Sequence, residues 1–115
     1  MKIVSFNTED LSFPKADLIV NLNPDMLCLQ ETHIVNKPPK IPGMYLAVYS
    51  PSRVHGSAIF TRDKTVVTET AILSQGPIEI LELKTKSFNV ISVYNLPTER
   101  FFWPIGRTMD DLNPT

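Results

Sequence analysis

Ile3-Val4-Ser5-Phe6-Asn7 and Asn23-Pro24-Asp25-Met26-Leu27-Cys28-Leu29-Gln30-Glu31-Thr32 decide the fold of this chain. Each contains a short apolar run that stops at a polar side chain, Asn7 in the first and Glu31 in the second. Ile3 to Phe6 reads as a buried strand closed by Asn7-Thr8-Glu9-Asp10. Pro14, suited to a first helical turn, opens a helix over Lys15 to Asn21, with Ala16, Leu18, Ile19 and Leu22 as its apolar positions. Asn23-Pro24-Asp25 ends it, because proline restricts the residue before it and cannot extend a helix. Met26 to Leu29 is too short for another helix and reads as a second strand. The order β-α-β predicts parallel strands joined by a right-handed crossover. In open α/β sheets ligands bind beyond the carboxyl ends of the strands, where Asn7 and Glu31 stand.

Further along, the Pro-rich stretch Lys37 to Gly43 cannot hold a central strand. Met44 to Tyr49, Ser57 to Thr61, Thr65 to Ile72, Ile78 to Leu83 and Phe88 to Tyr94 then read as strands separated by turn signals, an antiparallel meander. Ile78-Glu79-Ile80 alternates, which assigns one face of that strand to solvent. From Leu96 the pattern fades into a polar tail. One helix is thin cover for seven strands, since a sheet needs its apolar face packed.

The 115 residues set one domain as the expectation, and 43% hydrophobic against 20% charged residues is a globular balance. A net charge of −1 gives no global basic field for non-specific nucleic-acid binding. The single cysteine, Cys28, excludes an intrachain disulfide and reads as a small buried hydrophobe. No apolar stretch is long enough to span a bilayer and no leader is evident, so an intracellular chain with no membrane partner is expected.

Glu31 at a strand tip is of a type that holds Mg²⁺, which takes one or two carboxylates with water and substrate phosphate; the plainer reading is an exposed strand-end glutamate. Asn7 suits a metal or phosphate oxygen, or else caps the turn after its strand. Tyr94 suits a phosphate contact, or else packs its ring and wets its hydroxyl. His33 and His55 read as loop residues, and with one cysteine they give no zinc spacing. There is no P-loop, dinucleotide fingerprint or nucleophile elbow.

Taken together, Ile3 to Asn7, Pro24-Asp25-x-Leu27-x-Leu29-Gln30-Glu31-Thr32, Gly56 to Phe60 and Val93-Tyr94-x-x-Pro97 resemble the endonuclease/exonuclease/phosphatase superfamily over residues 1 to about 97. The chain is most similar to the endonuclease domains of non-LTR retrotransposons. The resemblance implies the N-terminal part of a four-layer α/β/β/α sandwich, with 98–115 an irregular tail. It further implies Mg²⁺-dependent phosphodiester hydrolysis on DNA, with Mn²⁺ an alternative ion. Glu31 and Asn7 would hold the metal, and Tyr94 would contact the scissile phosphate. A nuclear location follows from the same analogy. The family's Gly-Asp-x-Asn loop and its late Asp-His pair have no clear counterpart. Asp111-Leu112-Asn113 echoes the first, with Asp110 in the glycine's place. The chain thus reads as the metal side of a site, weakly active or inactive alone. An exposed inner sheet face would call for self-association or a complementing segment. A non-catalytic remnant or binding module, and a phosphatase of the same fold, are the competing readings.

Overall fold

The computed structural model describes residues 1–95. Seven strands and one α-helix follow in the order β1 (Ile3–Asn7), α1 (Phe13–Asn21), β2 (Met26–Gln30), β3 (Tyr45–Ser50), β4 (Ser57–Thr61), β5 (Glu69–Ser74), β6 (Ile78–Lys84) and β7 (Asn89–Asn95). They form a small mixed α/β domain of two sheets, with strand orders β1-β2-β4-β3 and β5-β6-β7. The tail 98–115, Pro97 and the Asp111/Asn113 echo lie outside the described residues.

The β-α-β opening is as expected: β1 and β2 are parallel, with Ile3 opposite Met26 and Asn7 opposite Gln30. Pro14 sits in the first turn of α1, where its missing N–H costs nothing. The helix buries Ala16 and Ile19, while Leu18 and Leu22, read as part of its apolar face, are exposed. Val20 takes their place against the core.

The single meander is corrected. After β4 the chain leaves the first sheet, and only β5-β6-β7 form a meander of their own. The break falls where Thr65 to Val67 was read as strand. There Asp63 accepts hydrogen bonds from the Thr65 amide (2.9 Å) and hydroxyl (2.7 Å), and Lys64–Val66 form a 3₁₀ turn. A local side-chain cap thus overrides β-branched propensity.

Splitting the strands also solves the shortage of cover. Met26, Cys28 and Ile59 of the first sheet pack against Leu81 and Leu83 of the second, so the inner faces cover each other. On the other side of the first sheet, Leu27, Leu29, Ala58 and Phe60 meet α1 and Ile41 of the Pro-rich loop. The expected exposed inner face is therefore largely closed. Apolar exposure falls instead on the outer side of the second sheet, at Ile78, Ile91 and Val93.

The expected alternation of β6 is present, and the structure sets which face lies inward. Glu79, Leu81 and Leu83 point inward and are buried, while Ile78 is exposed. Glu82 and Lys84 fix this parity, since they share a face with Ile78 and Ile80 under a period of two.

Candidate functional site

Asn7, Glu31 and Tyr94 close β1, follow β2 and end β7, so all three stand at one end of the two-sheet stack. Tyr94 Oη donates to Glu31 Oε1 at 2.5 Å across the two sheets. The hydroxyl is directed inward because Ser92 and Tyr94 are the buried alternates of β7. Beneath it, Gln30 Nε2 donates to Ser92 Oγ at 3.1 Å.

The loops after β1 and β2 are tied into one piece. Thr8 Oγ1 donates to the Glu31 carbonyl (2.8 Å) and the Asp10 amide donates to the same oxygen (2.7 Å). Lys15 Nζ donates to the carbonyls of Thr8, Glu9 and Asp10. Glu9, Asp10, Glu31 and His33 all adopt positive φ. Non-glycine residues bear a cost there, and such strain persists only where the surroundings over-determine it. The clustering of four strained residues at one strand end marks this end of the molecule.

Asn7 is exposed, and its Oδ1 accepts from the Glu9 amide at 3.1 Å. It therefore does cap the turn, with its Nδ2 directed elsewhere. Glu31 Oε1 is engaged by Tyr94, and no described hydrogen bond engages Oε2. The donor set is one carboxylate and amide oxygen, which suits a hard cation that keeps water and takes a phosphate oxygen. No group of three His, Cys, Asp or Glu converges among the described residues, so a closed protein cage for zinc is not what this site resembles.

Two residues escaped the sequence reading. Glu79, opposite Tyr94 in the β6–β7 register, is 1% exposed and accepts from Ser57 Oγ (2.7 Å), the Gly56 amide (3.1 Å) and Ser50 Oγ (3.3 Å). The parity set by Glu82 and Lys84 was the signal that could have found it. His55 lies with its ring centroid 6.2 Å from that of Tyr94, and its buried Nδ1 has no hydrogen-bond partner among the described residues. Nothing in the sequence signalled this placement.

Burial first, then the hydrogen bond to Glu31 and the charges of Glu31 and Glu79, hold the Tyr94 phenol well above its usual range. The folded chain therefore keeps this proton longer than the unfolded one. The stabilisation is complete below the ordinary phenol pKa of about 10 and is lost as pH rises through the folded value. In a spectrophotometric phenolate titration, the Tyr94 step should coincide with alkaline unfolding, and Tyr94→Phe should remove it. A Tyr94 step completed while the chain is still folded would contradict the described contact.

No known protein family's profile matches this chain. No curated protein matches it either. The Asn7, Glu31 and Tyr94 constellation therefore stands on its own geometry.

Proposed function

We propose that this chain carries the metal and phosphate side of a Mg²⁺-dependent phosphodiesterase site of the endonuclease/exonuclease/phosphatase type, acting on DNA within a four-layer sandwich. The observation that carries the reading is the 2.5 Å contact between Tyr94 and Glu31, which unites two residues distant in sequence at the strand end where Asn7 also stands. Glu31 and Asn7 would hold Mg²⁺, with Mn²⁺ an alternative. The ion would polarise a phosphoryl oxygen and stabilise charge on the leaving oxygen. Tyr94 stays protonated, so its single hydroxyl proton orients the Glu31 carboxylate and would have to leave it to reach a phosphate oxygen. Lys15 and Thr8 keep the Asn7 and Glu31 loops in fixed relation, which lowers the reorganisation needed on binding.

The described residues include no carboxylate–imidazole pair to activate a nucleophile. Turnover by this chain is accordingly slow, since a missing general base typically costs 10²–10⁴-fold in rate, an order-of-magnitude range. The test is plasmid nicking with Mg²⁺. Glu31→Ala should lower nicking by roughly two to three orders of magnitude, the scale of losing one electrostatic stabiliser. Nicking that is indifferent to Glu31 rejects the reading. DNA binding without any Glu31-dependent nicking would assign the chain as a non-catalytic binding module instead. Glu31-dependent release of phosphate from a small monoester, with DNA intact, would favour the phosphatase reading.

A further inference from the structure

Contacts between the two sheets are of two kinds. Most of the inner interface is apolar, with Met26, Cys28 and Ile59 of the first sheet against Leu81 and Leu83 of the second. Burial of this kind is non-directional and does not by itself fix how one sheet sits on the other. Polar ties are directional. Among the described residues they include Tyr94 to Glu31, Gln30 to Ser92, and the donors of Glu79, all at the site end.

Glu79 is the odd member of its face. It shares the inward parity of Leu81 and Leu83 on β6, is buried as they are, and meets no cation among the described residues. Stability alone gives little reason for a carboxylate there, since a packed apolar residue of similar volume is often as good or better. All three of its donors come from the other sheet. They are the hydroxyl of Ser50, which ends β3, the hydroxyl of Ser57, which opens β4, and the amide of Gly56 just before it.

Two of these donors bracket Glu31. The Gly56 amide and Ser57 Oγ both donate to the same oxygen, Glu79 Oε1, at 3.1 and 2.7 Å. Ser57 is the register partner of Gln30, the residue before Glu31. The Gly56 carbonyl accepts from the amide of Thr32, the residue after Glu31, at 3.1 Å. Glu31 itself stands at φ 56°, a conformation that persists only where its surroundings over-determine it. In its own sheet Glu79 is directly opposite Tyr94, whose hydroxyl meets Glu31. One carboxylate thus ties the segment around Glu31, through the start of β4, to the strand pair that delivers Tyr94.

We infer that Glu79 is a positioning residue for Glu31. Its hydrogen bonds hold Gly56 and Ser57, and through them the two neighbours of Glu31, in fixed relation to Tyr94. The inference rests on the reading of Glu31 as a metal ligand. A ligand oriented in advance meets its cation without rearranging the backbone that carries it, and residues that orient a ligand set metal affinity nearly as much as the ligand does.

The test is Mn²⁺ binding to the full chain, followed by the electron paramagnetic resonance of the free ion, with the far-UV spectrum of each variant read alongside. Ser57→Ala removes the shortest donor and leaves Glu79 the other two. It should stay folded and lower Mn²⁺ affinity about tenfold, the usual scale for residues that orient a metal ligand. Glu79→Asp keeps a carboxylate but withdraws it by one methylene, and should lose affinity as well; it decides the matter if Ser57→Ala does not fold. Glu79→Gln, whose oxygen can still accept from Gly56 and Ser57, should bind as the wild type does. In a Glu31→Ala background Ser57→Ala should have no further effect, because no carboxylate is left to position, whereas a general loosening of the fold would still add to the loss. Folded Ser57→Ala and Glu79→Asp chains with wild-type affinity, a Glu79→Gln loss as large as that of Glu79→Asp, or additive losses with Glu31→Ala would overturn the inference and leave the metal reading intact. Mn²⁺ binding that Glu31→Ala does not weaken would overturn both.

Discussion

Gly56→Ala is expected to destabilise the domain by about 2–5 kcal/mol, combining a left-handed backbone penalty with steric overlap. Gly56 has φ +97°, and a Cβ built there would lie 2.4 Å from Thr32 Oγ1 and 3.2 Å from the His33 amide nitrogen. Neither neighbour can retreat easily. Thr32 is 1% exposed, and its amide donates to the Gly56 carbonyl at 3.1 Å. Any shift of Thr32 moves Glu31, its predecessor, away from Tyr94. Gly43 provides the comparison, with φ +78° but nothing within 4 Å of an added Cβ. Gly43→Ala should therefore lose only the backbone part, roughly 1–2 kcal/mol. Thermal or urea unfolding of the two variants separates backbone strain from overlap. Thr32→Ala should restore part of the loss in the Gly56→Ala background, because it removes the closest atom. Equal losses at Gly43 and Gly56 would mean the contact with Thr32 has no energetic weight.

The β1-α1-β2 opening was legible because proline and asparagine punctuate it and its apolar runs are too short to be anything but strands. Asn7, Glu31 and Tyr94 were legible as strand-end residues for the same reason, since the end of an apolar run fixes where a polar group emerges. The division into two sheets was not legible. It depends on the Asp63–Thr65 cap interrupting a β-branched run, and local side-chain hydrogen bonds leave little trace in hydrophobic periodicity. The alternation of Ile78-Glu79-Ile80 was legible, but three residues did not say which face lies inward. The longer strand decides it, since Leu81 and Leu83 share the parity of Glu79. The helix face was misplaced by Leu18 and Leu22, whose hydrophobicity is not used by this core.

Glu79→Ala should cost about 3–5 kcal/mol, far more than Glu79→Gln. The carboxylate lies between the sheets and accepts from three donors, the Gly56 amide and the hydroxyls of Ser57 and Ser50. Ser50 Oγ accepts in turn from Gln75 Nε2 at 3.1 Å, so the network reaches the β5–β6 turn. Among the described residues the only ion pair is the exposed one between Lys84 and Glu69, so no cation balances Glu79. Its solvation comes from these donors alone. Truncation to alanine orphans them at roughly 1–3 kcal/mol each, with relaxation and entering water recovering part. Glutamine keeps the shape: its oxygen can accept from Gly56 and Ser57 while its amide donates to Ser50, whose hydroxyl has lone pairs to spare. A change within about 1 kcal/mol is expected, because weaker hydrogen bonds are offset by removing a buried charge. The charge itself acts on the site, as one of the causes that raise the Tyr94 phenol. Glu79→Gln should therefore lower the Tyr94 titration only a little, because burial and the Glu31 contact, the larger causes, remain. Chemical denaturation reads the first effect and phenolate absorbance the second. If glutamine proves as damaging as alanine, the charge rather than the hydrogen-bonded shape holds the two sheets in register at the site.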